Sequence, residues 1–260
     1  MNHDHTPQPR PLVAPCRPLS PTEPLTWLAL GWRDLRAAPL QSLFFGALVV
    51  LASVAVSAGA WLTGGFWVLV GLLSAFVFAG PVLAIGFYTV SQTLEEGRPA
   101  SMGESWRRMR RSLAGTALFA NLLLVVALLW ARAATMVHVF FPQTSEATLL
   151  DFATYLGVGS AVGAFFCLVI FVVSAFSLPM LHDRDVDAVT AALSSINAVL
   201  RNKPAMVVWA AIIVATVAIG FATALIGLAV ALPLIAYATW HGYRRTVDAS
   251  AWPGRGDADR

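Results

Sequence analysis

The side chains that could do chemistry are few, and most of them stand together. His182-Asp183-Arg184-Asp185, with Asp187 just beyond, sets one imidazole and three carboxylates in a short run, and His241 closes a later apolar segment. Imidazole nitrogen combined with carboxylate oxygen suits a divalent cation. His182, Asp183, Asp185 and His241 are therefore the candidate metal ligands. Hydrated charges and caps at helix ends explain the same residues without an ion, and that is the reading preferred here. His3 and His5 could also bind metal but read as polar filler in a proline-rich stretch. Cys16 and Cys167 make no metal or disulfide framework, since one lies in that stretch and the other in an apolar run. No His-Glu-x-x-His, Walker loop, Gly-x-Ser-x-Gly or Cys-x-x-Cys is present. Haem or copper inside a helical bundle needs several intramembrane histidines, and the five histidines sit in the tail, in a loop (His138) or at segment ends. The expectation is no catalytic residue and no cofactor.

The elements that would carry these residues are membrane helices. Hydrophobic residues make up 58% of the 260 and charged residues 12%, against roughly 25% charged in soluble domains. Mean hydropathy is +0.71. The net charge of +3 comes almost wholly from arginine, and Lys203 is the single lysine. These arginines flank apolar runs instead of forming a basic face, which argues against nucleic acid as a partner. The fold class expected is all-α, a polytopic transmembrane bundle of six spans with amphipathic interfacial helices before spans one, three and five.

Along the chain, residues 1–24 read as a disordered proline-rich tail, 25–245 as the membrane domain and 246–260 as a second disordered tail. The spans fall near 40–62, 66–93, 113–132, 152–181, 204–220 and 227–243, each close to the roughly 20 residues that cross a hydrocarbon core. Helix breaks are expected at Gly80-Pro81, Pro179 and Pro233, because proline removes a helical hydrogen bond. Gly159 and Gly163 have the spacing that lets two helix backbones approach. Asn121, the strongly polar side chain of span three, is expected to hydrogen-bond another helix. No ionisable residue falls mid-span, which lowers the case for an ion-coupled carrier.

Three amphipathic segments precede odd-numbered spans. The first carries Leu28, Trp32 and Leu35 on one side with Arg33, Asp34 and Arg36 on the other. The second opens on Ser101 and Glu104, the spacing of a capping box, and carries Met102, Trp106, Met109 and Leu113 as its apolar stripe beside Arg107, Arg108, Arg110 and Arg111. The third carries Val189, Leu193, Ile196 and Leu200, and ends on Arg201 and Lys203. Each is expected to lie in the membrane interface, apolar stripe toward acyl chains and arginines among headgroups. Sixteen of the 17 basic residues fall before span one, between spans two and three, between spans four and five, or after span six, leaving Arg132 alone on the other side. By the positive-inside rule both termini are cytoplasmic. The unit of amphipathic helix, span and proline-broken span recurs three times, as a pseudo-symmetric bundle would require.

Gly31-Trp32-Arg33-Asp34-Leu35, Gly80-Pro81 and the six-span layout resemble the proteobacterial integral membrane proteins grouped only as a domain of unknown function. The resemblance covers about Leu25 to Tyr243. It implies a bacterial inner-membrane location and supplies no site residues. With catalytic constellations missing, the expected role is a non-enzymatic scaffold or accessory protein whose partners are the bilayer and another membrane protein or a second copy. The alternatives are a facilitator or channel for a small or lipid-like solute and, more remotely, a membrane enzyme. A polar cavity at Gly80, Ser177 and Thr239 would favour transport, and a solid core there would favour the scaffold.

Overall fold

The computed structural model describes residues 11–63, 66–140, 148–223 and 225–255. Its helices are α1 (Glu23–Ala37), α2 (Pro39–Thr63), α3 (Phe66–Glu95), α4 (Met102–Phe140), α5 (Leu149–Ser174), α6 (Ser177–Asp183), α7 (Ala188–Arg201), α8 (Lys203–Ala222) and α9 (Leu228–Thr246). Among the described residues there is no strand, only isolated bridges pairing Cys16 with Val247 and Arg184 with Gly254. The His3 and His5 stretch, the Gly64-Gly65 turn and residues 141–147 of the expected 138–151 loop lie outside the described residues.

Among the described residues four stretches are long and apolar enough to cross a membrane: Pro39–Gly59, Gly115–Val137, Leu149–Asp183 and Lys203–Ala222. Local signals set their ends. Pro39 opens α2, where its missing N–H would have had no partner in any case. Thr148 and Asp151 form a capping box at α5: Thr148 Oγ1 accepts from the Asp151 N–H at 3.2 Å, and Asp151 Oδ2 accepts from the Thr148 N–H at 2.9 Å. Asp187 caps α7 through Oδ1, which accepts from the N–H groups of Val189 and Thr190, each at 2.9 Å.

Several expectations change in the tertiary structure. The segment Ser101–Leu113 is not a separate helix, because α4 runs unbroken for 39 residues, about 58 Å at a 1.5 Å rise. That is roughly twice a hydrocarbon core, so its arginine-rich first turns project from the span. Glu104 turns to Arg98 and Arg108. Pro81 and Pro233 stay inside continuous helices; only near Pro179 does the chain break, at Ala175-Phe176 between α5 and α6. Neighbouring helices can compensate one lost backbone bond in a membrane bundle. A Cβ on Gly159 or Gly163 would meet nothing within 4 Å. The pair therefore packs no helix within this chain, since α5 has no buried residue.

On α1 the buried positions are Pro24, Trp27, Gly31 and Asp34; of the apolar stripe Trp32 is exposed as expected, whereas Leu28 is half-buried and Leu35 packs against the core. On α7 the buried face is Ala191, Ser194, Ser195 and Ala198, and Val189, Leu193 and Leu200 point outward. The cause is that contacts between membrane helices are made by small residues that let backbones approach, whereas large apolar side chains lose nothing by facing lipid. Gly31 shows the requirement directly, for a Cβ there would sit 2.7 Å from the Ala238 amide nitrogen of α9.

The described parts of both tails, residues 11–22 and 247–255, are held by hydrogen bonds. The Arg17 N–H donates to the Thr246 carbonyl and the Asp248 N–H to the Pro15 carbonyl, each at 2.8 Å. Asn202 Oδ1 accepts from the Leu19 N–H, and Ser194 Oγ from the Ala14 N–H. At the other end Trp252 is buried, and the Asp185 N–H donates to the Pro253 carbonyl at 2.9 Å. Pro15, Pro18 and Pro21 favour an extended strap, which leaves backbone groups free for such bonds. The core lies at the end of the bundle where α2 begins, α3 ends and α9 ends, and Trp27 is its centre, edge-on to Phe176 at 6.1 Å and to Trp209 at 5.6 Å.

Candidate functional site

The same end carries a connected set of polar side chains that runs from the buried His182, Asp183 and Tyr243 to the exposed Glu95 and Arg244. The last turn of α3 supplies Gln92 and Glu95, α4 supplies Glu104 and Arg108, α6 supplies His182 and Asp183, and α9 supplies Trp240, Tyr243 and Arg244. Gln92 Oε1 accepts from Arg108 and pairs with His182 Nε2 at 3.0 Å, tying three helices at one atom. His182 Nδ1 is buried without a partner. Its ring lies edge-on to Trp240 at 5.7 Å, and Tyr88 stacks on Trp240 at 6.3 Å. Glu95 accepts from Trp240 Nε1 at 3.0 Å and from Arg244 Nε at 3.4 Å. Asp183 Oδ2 accepts from the Tyr243 hydroxyl at 2.8 Å and from Arg184 Nε at 2.9 Å, with Arg244 Nη1 at 3.6 Å.

A second buried pair joins α1 to α9. Asp34, 1% exposed, sits with Oδ2 at 2.7 Å from His241 Nε2. One helical turn earlier on α9, the Tyr237 hydroxyl meets Ser42 Oγ of α2 at 2.8 Å, and Phe87 packs edge-on to Tyr237 at 5.7 Å. On the rim, Glu104 receives Arg98 at 3.0 Å and Arg108 at 2.7 Å. The hydrogen bond from Arg98, reinforced by Arg108, holds the Glu104 carboxyl down to about 2 against its desolvation.

The structure separates the four candidate metal ligands. His241 is engaged by Asp34, His182 by Gln92 and Asp183 by Tyr243 and Arg184. Asp185 faces out, bordering a surface groove of about 490 Å³ with Pro11, Leu12 and Trp252. Among the described residues no three His, Cys, Asp or Glu side chains converge as a cation would need. Partners are the reason for three of them: His182, Asp183 and His241 each pair with a side chain on another helix and are spent on joining helices. Sequence reading missed Gln92, Glu95, Glu104 and Asp34 as members of the network. Asp34 alone gave a signal, as the single acid beside Gly31 on an amphipathic helix.

The topology residues lie on the outer surface. Arg36 stands 5.1 Å over the exposed Trp32 ring and Arg110 lies 5.3 Å over Trp106, a cation over each indole face. Arg33 and Arg107 are exposed beside them. Arg201 Nε donates to Asn197 Oδ1 at 3.0 Å, and Lys203, also exposed, begins α8.

Apolar spans, a core confined to one end and polar side chains used to cross-link helices define an integral membrane protein of the helical class. Within it, residues 68–183, from α3 through α6, match the model of the family described as predicted integral membrane protein (DUF2189). Gly80-Pro81 falls inside that match, whereas Gly31-Trp32-Arg33-Asp34-Leu35 precedes it. No curated protein and no solved structure matches the chain.

Proposed function

We propose that this protein is a non-enzymatic scaffold or accessory protein of the bacterial inner membrane, with six spans and both termini in the cytoplasm. The observation that carries the reading is the solid packing at Ser177 and Thr239, two of the three positions where a carrier would need a polar cavity. Ser177, fully buried, donates to the carbonyls of Val173 and Ala191, and Phe176 beside it is sealed by Trp27. Thr239 donates to the Ile235 carbonyl of its own helix at 2.7 Å, between the fully buried Ala238 and Trp240. Ser177 joins α6 to α7 in this way, and a satisfied polar group of that kind stiffens a bundle instead of lining a cavity.

The sorting of arginine and lysine supports six spans, with α3 and α9 crossing beside the four strongly apolar stretches. The outward apolar residues of α1 and α7 support interfacial helices, because Trp32, Val189, Leu193 and Leu200 then enter the acyl boundary while Arg33, Arg36, Arg201 and Lys203 meet headgroups. Reporter fusions after Gly64, Gln143 and Ala222 should read outside, and fusions after Arg98, Asp187 and Arg245 inside. An outside reading at Asp187 ends the six-span proposal. Purification in native lipid followed by mass spectrometry should identify a co-purifying membrane protein, and proteoliposomes should show no solute-specific flux. Saturable flux of one solute would overturn the scaffold.

A further inference from the structure

The outward face of α4 is where the chain leaves a polar group facing hydrocarbon. Within the Gly115–Val137 stretch, Phe119 and Ala120 are buried against the bundle, whereas Leu118, Val125 and Leu128 are 46–59% exposed and Asn121 is exposed among them. Leu118, Asn121, Val125 and Leu128 recur at steps of three, four and three, the spacing whose residues meet their own equivalents across a parallel pair of helices packed at a shallow angle. Asn121 thus stands within that seam. Its Nδ2 donates to the Ala117 carbonyl of its own helix at 3.1 Å, and its side-chain oxygen has no partner among the described residues. Acyl chains cannot supply one. Arg132 lies on the same side closer to the end of the span, where a long side chain reaches headgroups.

We propose that this seam is a homodimer interface, covered by α4 of a second copy related by a two-fold axis along the membrane normal. Asn121 argues for a second copy over any other occupant. A carboxamide is both donor and acceptor, so two of them brought face to face satisfy each other, and lipid satisfies neither. All copies share one orientation in the membrane, so α4 meets α4 in parallel at equal depth. Asn121 then lies opposite Asn121, and each seam leucine opposite its own equivalent, as an isologous contact requires. The inference stands apart from the scaffold reading: a monomer would end it and leave the co-purification and flux results untouched.

The test uses the full chain in liposomes, with Cys16→Ser and Cys167→Ala as background. Leu118→Cys and Leu128→Cys should form disulfide-linked dimers under mild oxidation. Val214→Cys on α8, 68% exposed, should yield severalfold less. Independently, Asn121→Leu should raise the dimer dissociation constant, read by energy transfer between labelled copies, by about 3- to 10-fold, the effect of losing a hydrogen bond between membrane helices. Asn121→Gln should retain most of the affinity. Cross-linking at Leu118 and Leu128 no better than at Val214 overturns the interface. An unchanged dissociation constant in Asn121→Leu overturns the role of the carboxamide pair.

Discussion

The buried Asp34–His241 pair can be tested by a double-mutant cycle whose size follows from its surroundings. Asp34 and His241 are 1% and 7% exposed, and Gly31 and Gly242 bring α1 and α9 so close that water has no room beside them: a Cβ on Gly242 would lie 2.9 Å from Cε3 of Trp27. Asp34→Ala removes the acceptor and leaves a buried imidazole N–H unmet, at a cost of about 1–3 kcal/mol. His241→Ala leaves a buried carboxylate whose remaining cation is Arg33, 3.7 Å away and largely exposed, and stranding a buried charge costs about 3–5 kcal/mol. The double variant strands neither group, so its loss should fall short of the sum by about 1–3 kcal/mol. Unfolding in mixed micelles by a denaturing detergent, followed by tryptophan fluorescence, measures all four proteins. Additivity within about 0.5 kcal/mol, as for independent sites, would refute the reasoning.

Two further outcomes follow from the rim and the carboxyl-terminal strap. Glu104, at about 2 in the folded protein against an ordinary 4.5, contributes stability that is fully present above 4.5 and is lost as pH falls toward 2. Glu104→Gln should therefore flatten the acid limb of a stability profile in that window, and an unchanged limb would remove Glu104 from the network. Trp252, 4% exposed, should cost about 3 kcal/mol or more on replacement by alanine, the range for a buried aromatic. A freely solvated tail would give no loss in the same unfolding assay.

The residues themselves determine that this is a helical membrane protein. Long uncharged runs have no stable alternative in a bilayer, because a helix alone satisfies its backbone without help from neighbours, and Pro39, Thr148 and Asp187 fix helix starts by local chemistry. What the sequence could not determine was which small and polar residues each helix presents to its neighbours. In a membrane a large apolar stripe can face lipid, as Val189 and Leu193 point outward, but Leu35 of α1 packs against the core, and Gly31, Ala191 and Ser195 became contacts only in the tertiary structure. The polar network was hidden for a related reason. Gln92, His182 and Arg108 lie far apart along the chain and meet only because α3, α4 and α6 end at one level. Likewise the tails look disordered by composition, and the described part of the first is held by hydrogen bonds from its backbone to Ser194 of α7, to Asn202 and to the end of α9. Those bonds depend on tertiary placement and leave no periodic trace in residue types.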